Sequence, residues 1–296
     1  MSLMHLVKLH SAGVELTLSC PCRCETCGSS AGRPRGRELG TAGWIGVVGS
    51  LASLGCSRLT LMGGEPLHHP GWAEIGRAAS AAGMLVDMVT TGIGLDARAA
   101  GSARAAGLSS ITVSVDGTRE AHDRQRGMPG SWDAAIAAMR EIDAAGIRVG
   151  VTTQVNRASL PTLAGLAPLL QEAGAVGWQL QLTIPSGRAA GRTDLIAGAD
   201  LMPEVASVVR SLVGRRGLRP FVTDDIGWMT ADDPVLRTPP RTPERCWMGC
   251  FAGLRVLGVT SDGGVKGCLS LPESMVEGNV RALKAAILAT GLSTAE

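Results

Sequence analysis

The chain has 296 residues, 45% of them hydrophobic and 18% charged, with a formal net charge of +2. That balance excludes a basic nucleic-acid surface and an acidic disordered tail as the basis of function, so partners must be sought in sites. A chain of this length buries about three quarters of its unfolded surface, enough for one large domain with a small appendage. The longest apolar run, from Trp44 to Leu54, is broken by Gly and Ser and falls short of the ~18 residues of a membrane span, so no membrane partner is expected.

From the amino terminus, Met1-Ser2-Leu3-Met4-His5 lacks the charged-then-apolar order of a signal segment. With only eight cysteines in this length, reduced thiols and a cytoplasmic location are expected rather than a disulfide framework. Short β-rich runs then alternate with alanine-rich helical patterns. Strands are predicted at 14–18, 58–62, 85–90, 110–115, 148–155 and 178–184, and helices at 40–55, 71–82, 97–106, 131–145 and 160–173. Such βα repetition predicts a parallel sheet with right-handed crossovers, either open and doubly wound or a partial barrel. Both place ligands at the C-terminal ends of strands.

Polar motifs follow several of these strands. After the first, Cys20, Cys24 and Cys27 form C-x3-C-x2-C, and three thiolates on one tight loop can hold three irons of a [4Fe–4S] cluster with the fourth iron open. Cys22 adds a fourth thiol and keeps tetrahedral zinc open, although one residue between Cys22 and Cys24 is short for a zinc chelate loop. After the second strand, Gly63-Gly64-Glu65-Pro66 permits close approach of a ligand, with Glu65 available to an amine; a plain glycine turn is the alternative. After the fourth come Ser114-Val115-Asp116-Gly117 and His122-Asp123-Arg124-Gln125-Arg126-Gly127, read as a turn and a solvated loop with a His–Asp ion pair, from which Arg126 can grip a carboxylate. By period-two alternation Thr152, Gln154 and Asn156 share a face, as do Gln179 and Gln181, which gives either a ligand-binding lumen or a register-fixing polar network.

Further on, Asp224-Asp225 and Asp232-Asp233 bracket Trp228, a clamp for a polycation or a solvated acidic loop. A second cysteine group comprises Cys246, Cys250 and Cys268, with Asp262-Gly263 between the last two as a hairpin signal. Cys56, at the end of an apolar helix, reads as a buried core residue.

The motifs in this order resemble the radical S-adenosylmethionine (SAM) enzymes, and among them the SPASM/Twitch branch, over about residues 14–188 and 246–279. The resemblance implies an α/β fold: a partial (β/α)6 TIM-type barrel over 1–199, a helix and acidic linker loop over 200–245, and a small Twitch-like β-hairpin iron–sulfur extension, or truncated SPASM region with a C-terminal helix, over 246–296. It implies that Cys20, Cys24 and Cys27 hold a SAM-binding [4Fe–4S] cluster, that Gly63, Gly64 and Glu65 face the SAM amine, and that Ser114 and Arg126 face its carboxylate and ribose side. Gln154 and Asn156 would bind cofactor, and Gln179, Gln181, Asp224, Asp225 and Trp228 substrate. Cys250-x12-Gly263-x4-Cys268 is similar to the Twitch pattern, implying an auxiliary [4Fe–4S] cluster on this segment. Three cysteines leave that cluster one ligand short, to be supplied by Cys22, Cys56, another group or substrate, unless one of the three is a free thiol.

A free thiol would return hydrogen to a substrate radical and make an epimerase, whereas electron transfer to the auxiliary cluster would make a dehydrogenase. About ten residues before the first strand leave no room for a leader-peptide-binding domain, which favours a small molecule. Together these features are similar to the aminoglycoside-modifying members of the branch. The expectation is an epimerase acting on a polycationic aminoglycoside, with Cys250 as hydrogen donor, Cys246 and Cys268 as auxiliary ligands, and flavodoxin or ferredoxin as electron donor. A sugar or aminocyclitol dehydrogenase, a peptide maturase and a zinc-stabilised ligand-binding barrel are the alternatives.

Overall fold

The computed structural model describes residues 8–213, 217–223 and 250–282. Strands β1 (Ser11–Glu15), β2 (Arg58–Met62), β3 (Leu85–Thr90), β4 (Leu108–Ser114), β5 (Arg148–Val155), β6 (Ala175–Leu182) and β7 (Arg219–Val222) lie side by side in chain order, each parallel to the next. Between them run helices α1 (Thr41–Ser53), α2 (Trp72–Ala81), α3 (Ala97–Ala105), α4 (Arg119–Arg126), α5 (Ser131–Ala144), α6 (Leu163–Glu172) and α7 (Met202–Leu212). At the other edge β8 (Val256–Val259) pairs parallel with β1, and β9 (Gly264–Lys266) and β10 (Gly278–Asn279) continue antiparallel. The result is a parallel α/β sheet of the partial TIM-barrel kind, with β7 and β10 as its two edges.

Local sequence accounts for most of this. In α1 the buried residues Trp44, Val47, Val48 and Leu51 fall at i, i+3, i+4 and i+7, one apolar stripe turned to the sheet. In β5, Val149, Val151, Thr153 and Val155 are buried while Thr152 and Gln154 alternate to the other face. Each fully buried large side chain in this layer contributes about 2 kcal/mol. Thr153 is the polar member of its row, and it accepts the Trp178 indole N–H at 2.8 Å and donates to the Val115 carbonyl, so nothing polar is stranded there.

Several elements depart from expectation, among them β7, which lies in the segment 200–245 expected to be a helix and linker loop, and β4, which begins two residues early at Leu108. Strand β1 ends at Glu15, not residue 18, because the chain past Leu16 leaves the ladder to meet the end of β2: Gly64 N–H donates to Thr17 O at 2.7 Å and Glu65 N–H to Ser19 O at 2.8 Å. Strand β6 begins three residues early, at Ala175. Helix α4 occupies the segment expected to be a solvated loop, closed by Gly127 in the left-handed region at φ 59°. Its sequence has no apolar period to reveal it, yet His122, Gln125 and Arg126 are buried.

The Asp262-Gly263 hairpin forms as expected, joining β8 to β9 with Gly263 at φ +93°. It docks on the end of β1: Ser261 donates its N–H and hydroxyl to Glu15, whose carboxylate also pairs with Arg35 at 2.7 Å. Arg35 reaches Glu273 at 3.0 Å, and Glu273 lies 3.4 Å from the buried Lys266 Nζ. Among the described residues no helix is long and apolar enough to cross a membrane.

Candidate functional site

The loop after β1 carries Cys20, Cys24 and Cys27 to the wall of one cavity of about 220 Å³ at the C-terminal ends of the strands. Two distant segments fix its path. Arg23 N–H and Glu25 N–H donate to the last carbonyls of α4, those of Arg126 and Gln125, both at 2.9 Å. Arg188, past the end of β6, donates from Nε to Cys24 O at 2.7 Å and from Nη1 to Ala31 O at 2.8 Å, while its own N–H meets Cys27 O at 3.0 Å. Cys27 Sγ accepts Ala31 N–H at 3.3 Å. Cys22 is fully buried: its Sγ lies 4.0 Å from Met128 Sδ, and it lines no part of the cavity. Among the described residues no three His, Cys, Asp or Glu side chains converge closely enough to hold one metal ion.

Gly63 and Gly64 also line the cavity, and their lack of side chains has a local cause. A Cβ on Gly63, at φ +146°, would stand 2.3 Å from Thr17 O, and one on Gly64 2.3 Å from Ser19 O. Only glycine lets the end of β2 lie flat against the start of the cysteine loop. Glu65 differs from the expectation that it faces an amine. It is fully buried and its carboxylate is engaged by Leu67 N–H, Thr90 hydroxyl and both the N–H and hydroxyl of Thr91, at 2.6–3.2 Å. Burial pushes its pKa up against the pull of these four donors. Its side chain ties the end of β2 to the end of β3.

A charged pair sits on the opposite wall. Arg126 Nη2 forms an ion pair with Asp116 Oδ2 at 2.6 Å, and its Nη1 donates toward Cys24 Sγ at 3.7 Å. Asp116 is held in turn by Gln154 N–H at 2.8 Å. Burial opposes the guanidinium charge, but Asp116 and Cys24 hold its pKa raised. Cys22, as a hydrogen-bond donor, keeps the Cys20 thiol below its ordinary range and brings Cys24 down to about 6, with the Arg126 charge adding to the pull on Cys24 and burial opposing it. His122 is buried, not half of a solvated ion pair. Its Nδ1 accepts Asp116 N–H at 3.0 Å, and desolvation first, then Arg126, lowers it to about 4. Asp123 instead accepts from Gly130, Ser131 and Trp132 at the start of α5.

Of the other expected residues, Ser114, Gln154 and Gln181 line the cavity, and Gln179 Nε2 donates to Gln181 Oε1 at 3.2 Å from just outside it. Asn156 does not reach it: its amide donates to Gln125 and Thr183 and accepts from the N–H groups of Ala158 and Ser159, which leaves nothing for a cofactor. Cys250 is exposed, Cys268 is half-buried, and neither lines the cavity. Cys246, Asp224, Asp225 and Trp228 lie outside the described residues. The sequence assigns Asp116 only to a turn, and no motif marks Arg188 or the Thr90–Thr91 pair as part of the site. The Ser186-Gly187 turn just before Arg188, beyond a strand end, was the available signal for that arginine.

The donor set suits a [4Fe–4S] cluster: three soft sulfurs around one cavity, one already acidified, with no fourth thiol on the wall and a buried cation alongside. The hydroxyls and amides of Ser114, Thr152, Gln154 and Gln181 set polar groups beside Met62 and Val89 on the remaining wall, a mixed lining that suits a SAM molecule.

Residues 14–156 match the Radical SAM superfamily. Over 188 residues the chain is 34% identical to the AdoMet-dependent heme synthase of Methanosarcina barkeri, covering 63% of this chain and 54% of that protein. Over 163 residues it is 36% identical to the PqqA peptide cyclase of Ruegeria pomeroyi, covering 54% and 44%. The chain thus spans about half the length of the curated relatives it matches. Its fold is similar to that of Streptococcus suis SuiB bound to S-adenosylmethionine, with a TM-score of 0.74, 13% identity, and coverage of 97% of this chain and 66% of that one. The cysteine and glycine motifs, and the whole cavity wall apart from Gln181 and Arg188, fall within residues 14–156, the stretch that is similar to the Radical SAM superfamily.

Proposed function

We propose that the protein is a radical SAM enzyme that removes a hydrogen atom from an unactivated C–H bond of its substrate. The observation that carries this is the convergence of Cys20, Cys24, Cys27, Gly63 and Gly64 on one cavity. Cys20, Cys24 and Cys27 would ligate a [4Fe–4S] cluster. Gly63 and Gly64 leave a side-chain-free strip for the amino-acid end of SAM, and Ser114 and Gln154 offer hydrogen bonds along its length. Bound together, cluster and SAM supply a 5′-deoxyadenosyl radical. The chain's own part is to orient both and to exclude water around the radical. Anaerobically reconstituted protein given SAM and a strong reductant should release 5′-deoxyadenosine, read by mass spectrometry. Iron-loaded protein that binds SAM but never cleaves it would sink the proposal.

The finer reading is an epimerase similar to neomycin C epimerase, acting on an aminoglycoside, with an auxiliary [4Fe–4S] cluster on the C-terminal segment and Cys250 returning the hydrogen. The surplus of thiols beyond the first three supports it. A sugar or aminocyclitol dehydrogenase would use the same cluster as electron acceptor. Turnover in D₂O separates the two: inversion through an exchangeable thiol gives product heavier by one deuterium, while dehydrogenation gives product lighter by two hydrogens. Peptide maturation is a second reading, favoured by the match to a PqqA peptide cyclase. A precursor peptide that stimulates 5′-deoxyadenosine release where a panel of aminoglycosides does not would decide for it.

A further inference from the structure

Arg126 combines three properties that a purely structural arginine would not need together. It is 9% exposed, deep in the wall of the cavity. Its Nη2 is fixed by Asp116 at 2.6 Å, and Asp116 is itself fixed by the Gln154 amide at 2.8 Å, so the guanidinium is held from the ends of β4 and β5. Its Nη1 is 3.7 Å from Cys24 Sγ, while its Nε is buried with no hydrogen-bond partner among the described residues. A buried N–H without a partner is costly, and a negative neighbour in the cavity would offset that cost. The backbone of the same residue anchors the cysteine loop, through Arg23 N–H on Arg126 O at 2.9 Å. Main chain and side chain therefore fix one cation against one thiol, independently of any ligand.

We propose that Arg126 sets the reduction potential of the cluster held by Cys20, Cys24 and Cys27, through a charge-assisted hydrogen bond to Cys24 Sγ; the assignment rests on the proposed radical SAM site. Hydrogen bonds to cluster sulfurs and nearby charge are general levers on iron–sulfur potentials. Each electron added to a cluster adds negative charge to it, and a guanidinium within hydrogen-bond reach of a ligand sulfur, in a site removed from water, stabilises the more negative state. Arg126 therefore makes the cluster easier to reduce. Asp116 acts as the positioning residue that aims it.

The test is a redox titration of the reconstituted full-length protein, followed by electron paramagnetic resonance without SAM, so that any contact of Arg126 with that molecule plays no part. In Arg126→Gln the ratio of reduced to oxidised cluster at fixed potential should fall tenfold or more, a shift of about 59 mV to lower potential for one electron. Arg126→Lys, which keeps the charge but loses the fork, should shift in the same direction by less. If Arg126→Gln fails to take up iron, the lysine variant carries the test alone. Iron-loaded variants that titrate with the wild type, or at higher potential, overturn this assignment and leave the site reading intact. A wild-type chain that takes up no cluster under reconstitution overturns both.

Discussion

The two cysteine groups of this chain are organised in opposite ways. The first is held before any ligand arrives: Cys24 is buried, Cys20 and Cys27 are half-buried, and the loop between them is gripped by α4 and by the segment past β6. In the second, Cys250 is exposed and Cys268 half-buried, and the chain around them is fixed by the β8–β9 hairpin and its hydrogen bonds from Ser261 to Glu15 of β1. The N-terminal thiols are preorganised one by one, whereas at the C-terminus only the scaffold is. Preorganisation of this kind is what lets a site discriminate among metals and hold them.

Substitutions sharpen or break that contrast. The largest effect is expected at Cys24→Ala, which should abolish retention of the SAM-binding cluster, while Cys268→Ala and Cys22→Ala keep it; iron and sulfide analysis after anaerobic reconstitution reads the difference. Equal loss in all three would mean the two groups are not distinct. Next, Glu65→Ala leaves four donors facing a void and should cost about 3 kcal/mol, seen as a lowered midpoint in denaturant unfolding. A neutral outcome there would show that the end of β2 is not held by its carboxylate.

The pH dependence of stability gives a third test. His122 titrates near 4 when folded and near 6.5 when unfolded, so the folded state binds fewer protons between those values. Its contribution is complete above about pH 6.5 and fades as pH falls toward 4, by about 3 kcal/mol in all. In Wild-type protein this should appear as a falling unfolding free energy across that window, and His122→Leu should flatten it. A profile as steep in the variant as in the wild type would place the titrating group elsewhere. The smallest effect is expected at the hairpin. Glu273 is largely exposed, and Lys266 keeps the Leu269 and Leu271 carbonyls without it, so Glu273→Ala should cost only about 1 kcal/mol. A loss several times larger would make that ion pair, rather than strand pairing, the hold on the C-terminal segment.

Strands whose apolar residues alternate under clear turn signals were legible in the sequence. β2 and β5 fall at 58–62 and 148–155 as expected because buried and less buried residues alternate along them, whereas β3 falls at 85–90 as a short, mostly apolar run between Gly83 and Gly92 without alternation. Helix α4 was not legible, since Arg-Glu-Ala-His-Asp-Arg-Gln-Arg shows no apolar stripe; its buried face is made of His122, Gln125 and Arg126, whose partners come from other strands and loops. The same limit applied to the site. Cys20, Cys24, Cys27 and the glycine pair are local motifs and could be read directly. The inward turn of Glu65, the Asp116–Arg126 pair and the grip of the Asn156 amide on Gln125 and Thr183 depend on contacts between separate elements, which no local spacing encodes.

Those distant contacts also set an order of events during synthesis. The partners of Cys24 lie 102 residues downstream at the Arg126 side chain and 164 residues downstream at Arg188. A nascent chain that has emerged only through its cysteine motif has the ligands but not the walls. Closing such long loops is slow relative to local folding. The pocket is therefore completed only after the sixth strand has left the ribosome, and the cluster proposed for it would find a finished seat only at that late stage of assembly.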